Sequence, residues 1–411
     1  MKIKQVVCAV GRSGFMHRDL VAIKAGAKPN GFMYDGKPLS PGFQKIIEPA
    51  SIISVMLVLD DGQIAFGDCA DVILAGVAGR DPAFRAEDHI DDLSDEIAGI
   101  LTGRDVSAFR ANAEEMDRYV HRGKRLHTAI RYGVTQAFLH ATALTNKMTM
   151  AEVIAKEYGC KVASRPIAIL ASGHRDDPLQ LDRIISKRAE LLPHASFQVI
   201  DHVGREGEKL ITFTRSVASR IREIGDKNYC PRIHLDVYGT LGELFDMKLN
   251  PLADYLGRLR DAAAPYDLLV ESPIIARTQQ EQIEHFRSLR ALLREKGIKV
   301  GLIVDEWCNT LEDIRLFADE LPSDYVQIKT PDLGGINNTI EAVLYCKQHG
   351  MGAGLGGTAN ETDHSARITT HIALACEPDF QLSKPGLGVD EAMMIQSNEM
   401  ARTLALIRAR S

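Results

Sequence analysis

The chain has 411 residues, 45% of them hydrophobic and 25% charged, with a formal net charge of -6. That length can bury a sizeable core in about two domains, while the mildly acidic balance gives no basic stripe for nucleic acid and no apolar run reaches membrane-spanning length. Seven scattered cysteines without a Cys-x-x-Cys pair argue against a zinc site or disulfide framework, and the short apolar patch in MKIKQVVCAVGRSGF argues against a signal peptide, so reduced thiols in a cytoplasmic protein are expected.

The first part reads as α+β. A strand at 3–10 leads into a Gly/Pro-rich loop to about Phe43, and ISVMLVLDDGQIAFGDC carries two apolar runs around Asp61-Gly62, a hairpin signal. Helices dominate from about Asp88 to Tyr158; over 127–144, Ile130, Val134, Ala137, Phe138 and Ala141 share one face. From about Val162 the texture becomes strand, loop and amphipathic helix in repetition. Candidate strands fall at 166–171, 196–202, 233–237, 268–271, 299–304, 325–328, 350–355 and 380–382, with helices such as 278–296, 311–320 and 338–349 between them. The pattern predicts an α/β fold: residues 1–161 as an α+β domain and residues 162–411 as a parallel sheet whose eight strands close into a TIM-type (β/α)8 barrel. An open doubly wound sheet fits the same alternation.

The most informative stretch is YVQIKTPDLGG, where Lys329 stands at the point at which a short buried strand runs out. A lysine there either snorkels to solvent or, at the C-terminal rim of a barrel, points into the mouth with a lowered pKa and acts as a base. Upstream, Asp236 closes IHLD, Glu271 closes LLVE and Asp305 closes LIVD, each about one βα unit from the next. A barrel brings all four to one rim. Single acids at strand ends are commonly helix caps, but three in series supply hard oxygen ligands suited to Mg²⁺. The combination fits removal of a weakly acidic proton beside a carboxylate, with a cation on the developing charge and a lysine as base.

Other residues carry weaker signals. His194, in LLPHASFQ, precedes the strand expected at 196–202 and is either structural or directed to the mouth. Gln327 shares a strand face with Lys329. The glycines of GMGAGLGGTANE have GxGxxG spacing but lie too late in the chain for a dinucleotide fold, so tight turns or backbone donors are their expected use. Trp307, the only tryptophan, is assigned to packing.

RLHTAIRYGVTQA, MAEVIAKEY, LLPHA, HLDVYGT, VDEWCNT, VQIKTPDLGGINN, GGTANET and KPGLGVDEAMMI together resemble methylaspartate ammonia-lyase, of the enolase superfamily, from end to end. The resemblance implies an α+β capping domain over a modified TIM barrel, a homodimer, Mg²⁺ and a potassium requirement. It implies Asp236, Glu271 and Asp305 as Mg²⁺ ligands and Lys329 as the base at C3 of the (2S,3S) substrate. His194 becomes the group on the opposite face, and Gln327 and Thr358 become substrate contacts. The implied reaction is reversible anti elimination of ammonia from L-threo-3-methylaspartate to mesaconate. The chain departs from the family pattern at Ile73 and Ala171, where glutamines are expected, at Ile169 and Gly354, where aromatics are expected, and at Ala359, where a cysteine is expected. Each change removes a polar or bulky group, so a larger, more apolar substrate pocket is anticipated around positions such as Ala171 and Ala359.

Overall fold

Alternation of apolar and polar residues builds the N-terminal sheet. In the computed structural model, which describes residues 1–76 and 79–410, strand β1 (Ile3–Arg18) pairs antiparallel with β2 (Ile47–Leu59), and β2 with β3 (Ile64–Cys69). Ile53, Val55, Leu57 and Leu59 of β2 alternate onto one fully buried face. Helix α1 (Thr128–Asn146) covers this sheet, and its backbone approaches β3 closely at Gly133. The hairpin about Asp61-Gly62 and the 127–144 helix are present as expected. The Gly-rich stretch after residue 10 is different: β1 continues through an irregularity between Arg12 and Met16 and ends with Arg18 opposite Ile47. Pairing to β2 overrides the local loop signal, and it carries the end of β1 to the barrel.

The second region is a closed barrel of eight parallel strands, arranged in chain order: β4 (Ile169–Leu170), β5 (Leu191–Ser196), β6 (Arg232–Asp236), β7 (Leu268–Glu271), β8 (Gly301–Val304), β9 (Tyr325–Ile328), β10 (Gly352–Leu355) and β11 (Phe380–Leu382). Closure excludes the open doubly wound alternative. Leu170, Leu191, Leu269, Ile303, Phe380 and Leu382 pack together inside and fill the barrel, so its interior is a core with no pore.

One strand falls elsewhere than expected. The segment at 196–202 is not a strand: β5 ends at Ser196, the Phe197 N–H makes a last ladder bond to the Asp236 carbonyl, and Ile200–Val203 is a helical turn. Val199 and Ile200 carry strand-like side chains, but the His202 N–H bonds back to the Val199 carbonyl and no ladder partner remains. His194 therefore lies within β5 and not before a strand.

Helix α1 meets β3 with no room for a side chain at Gly133: an added Cβ would sit 2.5 Å from both the Cys69 backbone nitrogen and its Sγ. Gly133→Ala should gain about 1 kcal/mol of helix propensity and lose more to overpacking, which costs about 1–3 kcal/mol. A lower urea midpoint is the expected result, and an unchanged or raised midpoint would contradict this packing account.

Candidate active site

The barrel's register assembles the site. Asp236 and Glu271, the last residues of β6 and β7, stand directly opposite one another, and Asp305 and Lys329 are the first residues after β8 and β9. Lys329 Nζ lies 2.5 Å from Asp305 Oδ2, and Gln327 donates from Nε2 to Glu271 Oε2 at 3.1 Å. All four charged residues line one cavity of about 430 Å³ together with His194, Gln327, Thr358, Ala359 and Ile73. A larger cavity of about 560 Å³ lies between the cap and the barrel helices, but its arginines are paired with acids such as Glu114, Asp117 and Glu341 and it contains none of the rim acids.

Electrostatics sets the rim apart. Burial and then the neighbouring carboxylates push the Asp236 and Glu271 carboxyls well above their usual range, and burial also raises Asp305 despite the adjacent lysine. Asp305 Oδ1 is buried without a hydrogen-bond donor among the described residues. Three carboxylates facing one ammonium leave two uncompensated negative charges on hard oxygen donors, which matches a divalent cation such as Mg²⁺. Burial lowers the affinity of Lys329 for its proton, yet Asp305 and Glu306 outweigh it and hold the ammonium above its ordinary pKa. The expectation of a lowered lysine pKa is thus reversed in the chain alone, because the acids that would hold the cation act on the ammonium.

His194 owes its position to a β-bulge. Pro193 pairs with His234 and Ala195 with Leu235, so His194 is the extra residue between two register pairs, with φ of +45°. That left-handed conformation is strained for histidine and turns its ring toward the cavity. Its Nδ1 lies 3.3 Å from His234 Nδ1, so one ring donates and the other accepts. Burial, then His234 and Lys329, hold His194 well below its usual pKa; burial and Arg232 bring His234 to about 3. Both rings are therefore neutral near pH 7. His234 Nε2 is 3.1 Å from Glu271 Oε2 but outside hydrogen-bond geometry. Sequence reading missed His234, although its place two residues before Asp236 puts it on the same strand face.

The substrate wall differs in part from expectation. Ile73 and Ala359 line the cavity, whereas Ile169, Ala171 and Gly354 do not. Ala171 is fully buried and its N–H bonds to the Leu191 carbonyl. At Gly354 an added Cβ would meet the Phe380 ring at 2.5 Å, so Phe380 already fills the space that an aromatic at 354 would take. Of these positions only 73 and 359 face the cavity, where Ile73 and Ala359 present apolar side chains.

Thr358 is held by a buried network that sequence alone does not reveal. Its Oγ1 accepts the Ile73 N–H at 2.9 Å, and its own N–H donates to Glu361 Oε2 at 2.9 Å. Glu361 also accepts from Tyr132 at 2.7 Å and pairs with Lys384 at 2.9 Å, with both side chains of that pair 0% exposed. Beside the rim, Arg80 donates to Asp332 at 2.9 Å and to Asn309 at 2.7 Å, and pairs with Glu306. Burial favours the neutral form of Glu306, but Arg80 prevails and keeps it ionised.

A closed barrel with acids and a lysine on its C-terminal rim, roofed by an α+β domain, has the architecture of the enolase superfamily. A muconate lactonizing enzyme from Pseudomonas fluorescens shares this fold at a TM-score of 0.64 and 15% identity, over 94% of this chain and 89% of its own. Nearer relatives specify more. Residues 1–159 match the family model for the methylaspartate ammonia-lyase N-terminus, and residues 161–409 match that for its C-terminus. Methylaspartate ammonia-lyase 2 of Carboxydothermus hydrogenoformans is 48% identical over 100% of this chain and 99% of its own. The crystal structure of the Mg complex of beta-methylaspartase from Clostridium tetanomorphum aligns with a TM-score of 0.94 and 46% identity, covering both chains fully. The Citrobacter amalonaticus enzyme containing (2S,3S)-3-methylaspartic acid aligns at 0.96 and 43%, over 99% of this chain and 100% of its own. The chain belongs to the methylaspartate ammonia-lyase family of carbon–nitrogen lyases.

Lys384→Met would leave Glu361 charged and buried without its cation. Breaking a buried pair in this way costs about 3–5 kcal/mol, measurable by urea unfolding, and Lys384→Met with Glu361→Gln should recover part of the loss. Equal stability of Lys384→Met and wild type would show that the pair does not hold the Thr358 loop.

Proposed function

We propose that the chain catalyses the Mg²⁺-dependent, reversible elimination of ammonia from L-threo-3-methylaspartate or a related 3-substituted aspartate. The observation that carries this reading is Lys329 on the same cavity wall as three buried, mutually repelling carboxylates. Asp236, Glu271 and Asp305 would hold Mg²⁺, in keeping with the Mg complex of the Clostridium tetanomorphum relative. When bound, Mg²⁺ supplies Lewis-acid stabilisation of the charge that a substrate carboxylate gathers as the adjacent C–H ionises.

Lys329, as the free amine, takes the C3 proton. The electron pair left at C3 forms the C2–C3 double bond, the C2–N bond breaks, and ammonia departs, leaving mesaconate when the substituent is methyl. Neutral His194 offers a hydrogen bond to a substrate carboxylate from another wall, near enough to Lys329 to feel its charge. Gln327, anchored on Glu271, and Thr358, anchored by Glu361, orient the substrate. Apolar Ile73 and Ala359 in the wall favour substituents larger than methyl.

Lys329→Ala should lower the appearance of mesaconate absorbance from L-threo-3-methylaspartate by at least about 10²-fold, the low end for a general base, with the fold retained. Near-wild-type turnover in that variant would remove Lys329 from the base role. Asp236→Asn should weaken Mg²⁺ binding about tenfold or more in a calorimetric titration, and an isotherm matching wild type would exclude Asp236 as a ligand.

A further inference from the structure

The cavity has a cation that the reaction as written does not use. Arg18 ends β1, and its backbone N–H donates to the Ile73 carbonyl at 3.0 Å, which fixes it beside the roof residue whose own N–H reaches Thr358. The half-buried side chain lines the same cavity as Lys329, and its Nε is buried with no hydrogen-bond partner among the described residues. A guanidinium carries five N–H donors and no acceptor, so one left without a partner in a cavity wall is available to an anionic ligand.

The other cations of the cavity are accounted for. Arg80 is bound by Asp332, Glu306 and Asn309; Arg175 donates to the Ser196 carbonyl and pairs with Asp176; Lys329 pairs with Asp305. The described ion pairs leave Arg18 out. Among the described residues lining the cavity, the acids are Asp236, Glu271 and Asp305, which are committed to Lys329 and to the cation site. His202 is brought to about 4 by burial and then by Arg175 and, more weakly, Arg18, against Asp176 and Asp201; those two acids act on the same ring but do not line the cavity. The wall of the same cavity also carries apolar side chains, among them Phe15, Ile23, Val72 and Ile73.

We propose that Arg18 is a specificity-determining residue that receives a carboxylate carried on the C3 substituent, so that the pocket takes a 3-substituted aspartate whose substituent is itself anionic. This rests on the lyase reading above and names its substrate class. The planar guanidinium presents paired N–H donors that match a carboxylate. The chemistry is unchanged: the C3 proton passes to Lys329, the C2–C3 double bond forms, and the C2–N bond breaks with loss of ammonia. With a carboxymethyl substituent the alkene product is a propene tricarboxylate.

The test compares two unreactive ligands by calorimetry on the Mg²⁺-loaded enzyme: propane-1,2,3-tricarboxylate and 2-methylsuccinate. Wild type should bind the tricarboxylate about tenfold or more tightly than methylsuccinate, as a charge-assisted contact requires. Arg18→Met should bring that ratio close to one, and Arg18→Lys should retain part of it. A wild-type ratio near one overturns the inference whether or not the variants fold, and so does an undiminished ratio in Arg18→Met. If wild type shows no preference yet releases ammonia from 3-methylaspartate through Lys329, this inference alone falls. If the ratio is high and Arg18-dependent but neither 3-methylaspartate nor 3-carboxymethylaspartate yields ammonia, the lyase reading alone falls.

Discussion

Three carboxylates brought together below the surface, against a single ammonium, are the constraint on which the rest of the site depends. Left to themselves, Asp236, Glu271 and Asp305 would move apart or take up protons, because burial and mutual repulsion both penalise their charge. The barrel prevents the first response. Asp236 and Glu271 are opposite each other in a parallel ladder, and the apolar plug of Leu170, Leu191, Leu269, Ile303, Phe380 and Leu382 closes the space beneath. Separation would require a change of strand register, which would also turn buried side chains outward. The rim is therefore strained electrostatically by a fold that is stable for other reasons, and this strain favours a divalent cation.

The cap is tied into this arrangement through the barrel's loops. Thr362 Oγ1 donates to Asp68 of the cap at 2.5 Å, Tyr132 of α1 to Glu361 at 2.7 Å, and the Gly335 N–H to Asp117 at 2.9 Å. Each bond ends in a loop that follows a strand bearing or adjoining Lys329. A rigid roof follows, since the cap cannot shift without breaking several buried hydrogen bonds, each costly to leave unmade. Gly357 shows how tight the packing is: an added Cβ would collide with Glu361 and would lie 2.5 Å from Lys384 Nζ. Gly354 and Gly357 thus serve close packing against Phe380, Glu361 and Lys384, a use the sequence reading of tight turns or backbone donors did not include.

What was legible in the sequence followed from local pattern. Strands such as Leu268–Glu271, Tyr325–Ile328 and Phe380–Leu382 end where their apolar runs end, and a parallel barrel necessarily gathers the residues at those ends, so the three acids and Lys329 could be read together. What stayed hidden depends on contacts between distant segments. The bulge that aims His194 exists only because β6 pairs one residue short with β5. The loss of an aromatic at 354 reads as an empty space until Phe380 is seen filling it. The buried Lys384–Glu361 pair joins residues that no helical or strand period relates, and the run of β1 to Arg18 follows from pairing with β2 against the local glycine signal.

The groups on the two sides of the cavity are held in different ways. At the barrel rim the groups are coupled: Lys329 is held by Asp305 and Glu306, Glu306 by Arg80 of the cap, Glu271 by Gln327, and His194 by both His234 and Lys329. Each of these groups acts on the charge of its own partners. On the cap side, Ile73 contacts Thr358 and Arg18 through backbone atoms, so its side chain can change without breaking either bond. Arg18 likewise sends only its backbone into the sheet, leaving its side chain to face the cavity. The side chains of Ile73 and Arg18 are thus free of the bonds that fix their backbones, whereas the cap as a whole is held by side-chain bonds such as Tyr132 to Glu361 and Thr362 to Asp68.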